Sequence, residues 1–215
     1  MLARLLSLFV IWLFTSAFFG PDRSSHPLGE VINFTSEPTR YELKHQKNES
    51  IIHAITGDES ASGLVIANPE KCFINDQLNW RWKLQKSHSS VDVEQKEQED
   101  FAASVHLIYS AHEGSDFYKH DFHMLSYIWV AQDKLIESIL NAPTNRAGTQ
   151  KRILLQNKAT PLHEWKTQSR NIKHDIRLAF NELPPYPLRA MMLFTDSDQT
   201  AQTAEALYQM DCFKQ

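Results

Sequence analysis

Residues 79–84 read Asn-Trp-Arg-Trp-Lys-Leu. Apolar and polar side chains alternate without a break. An extended backbone therefore puts Trp80, Trp82 and Leu84 on one face and Asn79, Arg81 and Lys83 on the other. A helix would scatter the same residues around its circumference. The stretch predicts a strand with one face in a core and the other in water. Outward from it, β-prone runs at 31–34, 41–45, 50–55 and 63–67 come before, separated by Pro38, Asn48 and Gly57-Asp58. Runs at 101–110, 125–130, 153–156, 189–194 and 206–213 follow, and the polar stretch 85–100 predicts a solvated loop. One segment has helical spacing instead: Ile172, Ile176, Ala179 and Phe180, with Asn171 placed to cap it. Many short strands with one or two short helices predict an all-β antiparallel sandwich, because two packed sheets bury so many alternating segments at once.

A chain of 215 residues suits one such domain. Its net charge of −4 gives none of the basic footprint that phosphate backbones demand, so nucleic-acid binding is not expected. Only 6 glycines occur, and no phosphate-loop, nucleophile-elbow, zinc-helix or Cys-x-x-Cys motif is present. The first residues have a different purpose. Arg4, the apolar run 5–14 and the small residues Thr15-Ser16-Ala17 form the pattern of a secretory signal. The expected organisation is a signal peptide over 1–17, a linker over 18–30 and a β-sandwich domain over 31–215. Export to a periplasmic or extracellular compartment follows, with no membrane span once the signal is cleaved. An oxidising compartment permits a bridge between Cys72 and Cys212, the two cysteines of the chain. Two separate buried thiols would satisfy the sequence equally well.

Four motifs recur in a recognisable order. They are Trp80-Arg81-Trp82-Lys83, Glu99-Asp100-Phe101, Trp165 with Arg170-Asn171 and Asp175, and Thr195-Asp196-Ser197-Asp198 followed by Ala206 and Tyr208. Together they resemble the exported bacterial family called domain of unknown function 3047. Gln199 and Asn181 stand where that pattern more often has Asn and Gly. The resemblance implies a jelly-roll-like sandwich, an architecture shared with many sugar-binding modules. It implies no activity, because fold alone does not settle function.

The polar residues beside the aromatic strands supply the candidate site. Arg81, Asp100, Arg170 and Asp175 are candidate ligand-binding residues, and no catalytic residue is assigned. Asp196 and Asp198 would project to one side of an extended segment, offering two hard oxygen ligands for calcium. The alternative is a turn in which Asp198 caps the segment after it. Arg170 is expected to contact Glu99 or Asp100 and so tie the helix to the sheet. Trp80, Trp82, Tyr127 and Trp129 would form a sugar-stacking platform if exposed and a core if buried. The three histidines between 112 and 123 predict a solvated loop rather than a metal site. These features give an exported, non-catalytic binding module for carbohydrate or another cell-envelope component, with a polysaccharide or an envelope protein as partner. A hydrolase acting on envelope polysaccharide and a structural or assembly role are the alternatives.

Overall fold

The computed structural model describes residues 22–47, 49–66, 69–112, 121–143 and 149–213. The expected signal peptide lies outside these residues. The strands in chain order are β1 (Asp22–His26), β2 (Gly29–Asn33), β3 (Arg40–Gln46), β4 (Glu49–Ile55), β5 (Ala61–Ile66), β6 (Phe73–Ile74) and β7 (Gln77–Lys86). They continue with β8 (Ala103–Ser110), β9 (Phe122–Trp129), β10 (Ile139–Asn141), β11 (Thr149–Gln156) and β12 (Lys166–Asn171), and, after helix α1 (Ile172–Phe180), with β13 (Leu188–Asp196) and β14 (Glu205–Met210). An eight-stranded sheet runs β1-β2-β5-β13-β8-β9-β11-β10, and a six-stranded sheet holds β12-β7-β14-β4-β3 with β6 added beside β7. Among these strands only β9 and β11 pair in parallel; the other pairs are antiparallel. This is the jelly-roll-like sandwich expected from the alternating runs.

The core lies between the sheets and is built by period-two alternation. Leu78, Trp80, Trp82 and Leu84 point inward from β7 to meet Leu125, Tyr127 and Trp129 of β9, with Val105, Leu107, Met191 and Leu193 from the neighbouring strands. Trp80 packs against Tyr127 with ring centroids 5.2 Å apart, and Trp82 against Trp129 at 6.0 Å. The indole of Trp82 also donates to Gln156 Oε1 at 2.6 Å, so its one polar atom is satisfied in the interior. Each such side chain contributes about 1.5–3 kcal/mol on burial. Of the two readings of these rings the core one holds: all four aromatics are buried between the sheets and form no exposed platform.

Three further expectations change. The stretch read as linker carries β1 and the start of β2, which form a hairpin at one edge of the larger sheet. The stretch 85–100 is not simply solvated. Val91 and Val93 are buried against Phe101, Ile128, Val130 and Leu154, so this loop is pinned across one end of the larger sheet's outer face. Two valines in a polar run are enough to anchor it. The strand expected to reach residue 213 stops at Met210 and gives way to a turn, Asp211–Phe213. That turn carries Cys212, which is bonded to Cys72 with Cα atoms 4.8 Å apart. Helix α1 matches its sequence: Asn171 accepts from the His174 N–H at 3.0 Å, and Asn181 ends the helix at φ 64°, donating to the Arg177 carbonyl. Among the described residues no helix is long and apolar enough to cross a membrane.

Candidate functional site

The inner face of the eight-stranded sheet is spent on the core, and its outer face carries the candidate site. Alternation along β8 turns Ser104, His106 and Ile108 outward while Val105 and Leu107 point in. Along β13, Met192, Phe194 and Asp196 take the same outward side. Of these, His106, Met192, Phe194 and Asp196, together with Phe34, Glu99, Phe101, Phe122, Met124, Gln150, Arg152, Asp198 and Gln199, line a cleft of about 360 Å³. Gly63 lies beneath it, where a β-carbon would fall 2.1 Å from the Met192 sulfur and would displace that side chain. The rings of Phe101, His106 and Phe194 stand edge to face, with centroids 5.5–6.5 Å apart.

The carboxylates gather at one end because β8 and β13 are antiparallel neighbours. Their pairing of Ser104 with Phe194 continues into a bond from the Asp196 N–H to the Phe101 carbonyl, setting residues 99–101 beside 196–198. One oxygen each of Asp100, Asp196 and Asp198 falls within 4.8 Å of the others. Such a set could surround a cation of the oxygen-preferring kind, calcium included. Its members already have other work. Asp100, with no solvent exposure, accepts from the Gln199 N–H at 3.0 Å and the Thr200 N–H at 2.8 Å, and from the Thr200 hydroxyl. The capping role expected of Asp198 thus belongs to Asp100, which reaches across from the neighbouring segment, and no helix follows. Asp196 accepts from the Phe101 N–H at 2.5 Å, and Asp198 from the Gln199 side-chain amide.

Burial shapes the charges here. Asp196 is pushed well above the usual carboxylate range, first by loss of water and then by Asp100, with Asp198 and Glu99 adding to the effect. Burial thus favours its protonated form. Arg152 is buried with its guanidinium bonded to Glu99 and to the Val93 carbonyl, 4.9 Å above the Phe101 ring. His106 bonds to Ser126 through Nδ1 at 2.6 Å and to Ser104 through Nε2 at 2.9 Å. Burial and, secondarily, Arg152 push its pKa down to about 3, so the ring stays neutral.

The remaining candidates lie elsewhere. Arg81 projects from the outer face of the smaller sheet, bonded to Gln209 at 3.0 Å and Glu49 at 2.6 Å and stacked 4.7 Å over Trp165. Arg170 does not reach Glu99 or Asp100. It grips Asp175 through two bonds of 2.8 and 2.9 Å and Glu137 through a third, while the Tyr127 hydroxyl donates to Asp175 at 2.8 Å. With Asp175 only 2% exposed, this pair fastens α1 to the core and presents nothing to a ligand. Of the four candidate ligand residues only Asp100 belongs to the cleft region, and it works from behind the rim. His123 stands on β9 against Phe180 and Tyr186; His120 lies outside the described residues. The sequence reading missed Arg152, His106 and the phenylalanines of the cleft. An arginine directly before the apolar run 153–155 of β11 is the one available signal.

Fold and site define a jelly-roll β-sandwich whose larger sheet carries an aromatic cleft with an acidic rim. The chain belongs to the family described as protein of unknown function (DUF3047), whose model matches residues 30–210. No curated protein sequence matches it. Among solved structures it is similar to a thermostable cellulase derived from Cel12A of Rhodothermus marinus, at 11% identity and a TM-score of 0.50 over 85% of this chain and 88% of that one. It is also similar to the xyloglucanase domain of NopAA, an effector from Sinorhizobium fredii solved with cellobiose, at 6% identity and a TM-score of 0.45 over 88% and 94% of the two chains. The first likeness shows a shared fold.

Proposed function

We propose that the protein is an exported, non-catalytic module that binds a polysaccharide strand in the cleft of its larger sheet. The observation that supports this reading is the cleft itself. Phe34, 37% exposed, and Phe194 offer ring faces for sugar, while Gln150, Asp198 and Gln199 offer hydrogen-bonding groups to its hydroxyls. Glycoside hydrolysis needs two carboxyl groups, about 5–10 Å apart, facing the bond to be cleaved. Here Glu99 is held by Arg152 and Asp100 by the 199–200 turn, which favours binding without turnover. The Cys72–Cys212 bridge supports export, since such bonds persist in oxidising compartments.

The hydrolase reading has one observation in its favour: Asp196, whose pKa burial raises, lies close to Asp198. Titration calorimetry with cello- and xyloglucan-oligosaccharides, followed by a glycan array, tests the binding reading. Binding that drops at least about fivefold in Phe34→Ala with an unchanged melting temperature is the expected result, the loss of one stacked ring being worth about 1 kcal/mol. Release of reducing sugar that Asp196→Asn abolishes would replace the module with an enzyme.

A further inference from the structure

A second cavity, also of about 360 Å³, lies on the other side of β8 from the cleft. The alternation that turns His106 and Ile108 outward turns Tyr109 inward, and Tyr109 is the last inward side chain of that strand. Beyond it the gap between the sheets is closed by other elements: the turn 69–72 and Phe73 of β6, and α1 with the segment 183–188. They leave a space of the size that small-molecule sites take, about 300–1,000 Å³. Ile176 and Leu183 line it with aliphatic groups, and Phe73, Tyr109 and Tyr186 with three rings. Four tyrosines of the described residues are buried, and three have their hydroxyls bonded: Tyr41 to the Ser62 carbonyl, Tyr127 to Asp175 and Tyr208 to Thr195. Tyr109 is the exception. It is 8% exposed, yet its hydroxyl has no hydrogen-bond partner among the described residues. Burial, with Asp76 adding to it, holds this phenol well above its ordinary pKa, so it keeps a proton to donate. A buried hydroxyl left unpaired is unfavourable, and a molecule in the cavity that accepts from it relieves that cost.

We infer that this cavity binds a small uncharged aromatic molecule bearing an oxygen acceptor, an aryl ketone or ester, independently of any polysaccharide in the cleft. Its ring packs against Phe73, Tyr186 and Ile176, and its oxygen accepts from the Tyr109 hydroxyl. Three ring-bearing walls favour an aromatic guest over an aliphatic one of equal area, because ring pairs attract beyond the area they bury. The charged groups of the lining argue against an anion. Glu70 and Asp76 are carboxylates, and the one cation, Lys173, is paired with Asp76 at 2.9 Å. A sugar fits no better, since walls of this composition offer its hydroxyls few partners.

The test uses the full-length chain, isotopically labelled, and three probes titrated by NMR: 2-acetylnaphthalene, 2-naphthoate and octan-2-one. 2-Acetylnaphthalene is expected to shift the amide signals of residues 172–176 and 183–188 with a Kd of about 1 mM or tighter, in line with the energy per atom of small ligands. It should bind at least about fivefold more tightly than the anion or the aliphatic ketone. Tyr109→Phe should weaken it about fivefold, the worth of one hydrogen bond, with the melting temperature maintained because that hydroxyl has no partner to lose. Leu183→Trp, at a position 44% exposed, should fill the opening and abolish the shifts. If Tyr109→Phe fails to fold, Leu183→Trp decides the question. Equal affinity for octan-2-one, preference for 2-naphthoate, or shifts centred on the cleft would overturn the inference. So would an affinity unchanged in Tyr109→Phe or in Leu183→Trp, or the absence of any shift.

Discussion

Replacing Asp175 by Ala gives the sharpest separation of a structural role from a binding one. Its carboxylate is almost wholly buried and takes three hydrogen bonds, two from the guanidinium of Arg170 and one from the Tyr127 hydroxyl. Removing one partner of a buried ion pair typically costs about 3–5 kcal/mol, because the other charge is left without compensation. Arg170 retains its bond to Glu137 and is itself partly solvated, its side chain 17% exposed, which places the cost at the lower end, about 3 kcal/mol. For a domain of this size each kcal/mol moves the melting temperature by about 2–4 °C, so a fall of about 6–12 °C is expected. Urea unfolding with the disulfide intact provides the free energy, and calorimetric melting the temperature. A double-mutant cycle with Arg170→Met should show strong coupling, since the second change removes the stranded charge. Oligosaccharide affinity at 10 °C should be unaffected. A loss below about 1 kcal/mol, or a selective loss of binding with full stability, would refute the assignment of this pair to the scaffold.

Titration gives two opposed slopes. Asp196 has a folded pKa above its unfolded value, so its protonated form stabilises the fold at low pH and that contribution is lost as pH rises through the folded pKa; Asp196→Asn should flatten this decline in a series of melts. His106 titrates near 3 when folded and about 6.5 when unfolded, so stability should be lost as pH falls from about 6.5 towards 3. His106→Gln should remove that acid limb. Calcium chelation is expected to leave the melting temperature unchanged, because backbone and hydroxyl donors already hold Asp100; a fall of several degrees would assign the acidic cluster to a cation. Reducing the Cys72–Cys212 bridge, which spans 140 residues, should cost up to about 5 kcal/mol and lower the urea midpoint accordingly.

What the sequence displays is the part of the fold that alternates. The Trp-Arg-Trp-Lys run marks β7 and its inward face because polar and apolar residues differ at every step. Helix α1 is legible from its Asn171 cap and apolar spacing. β12 is not, because Lys-Thr-Gln-Ser-Arg-Asn holds no apolar residue; it is an edge strand held by backbone bonds to β7. The cleft is hidden for the opposite reason. β8 is buried on both faces, so its pattern does not distinguish His106, which faces outward, from Val105, which faces the core. Asp100 and Asp196 can be named as candidates, but their meeting depends on the register between β8 and β13, which neither segment encodes alone. Arg170 and Asp175 stand out in the sequence as residues that need an explanation. Their partners do not, because Tyr127 and Glu137 enter from elements distant in sequence.

The position of β14 has a consequence for the order of assembly. Residues 205–210 lie in the middle of the smaller sheet, between β7 and β4, strands made more than a hundred residues earlier. Until that segment has emerged, β4 and β7 each expose an unpaired edge and the sandwich has no closed second layer. A chain leaving a ribosome or a translocation pore therefore stays unfinished until its 210th residue is free. Its sheets then close in one cooperative step dominated by long-range pairing, a slow event by the standards of local topologies. Because Cys212 follows β14 by two residues, the Cys72–Cys212 link records that this step has been completed.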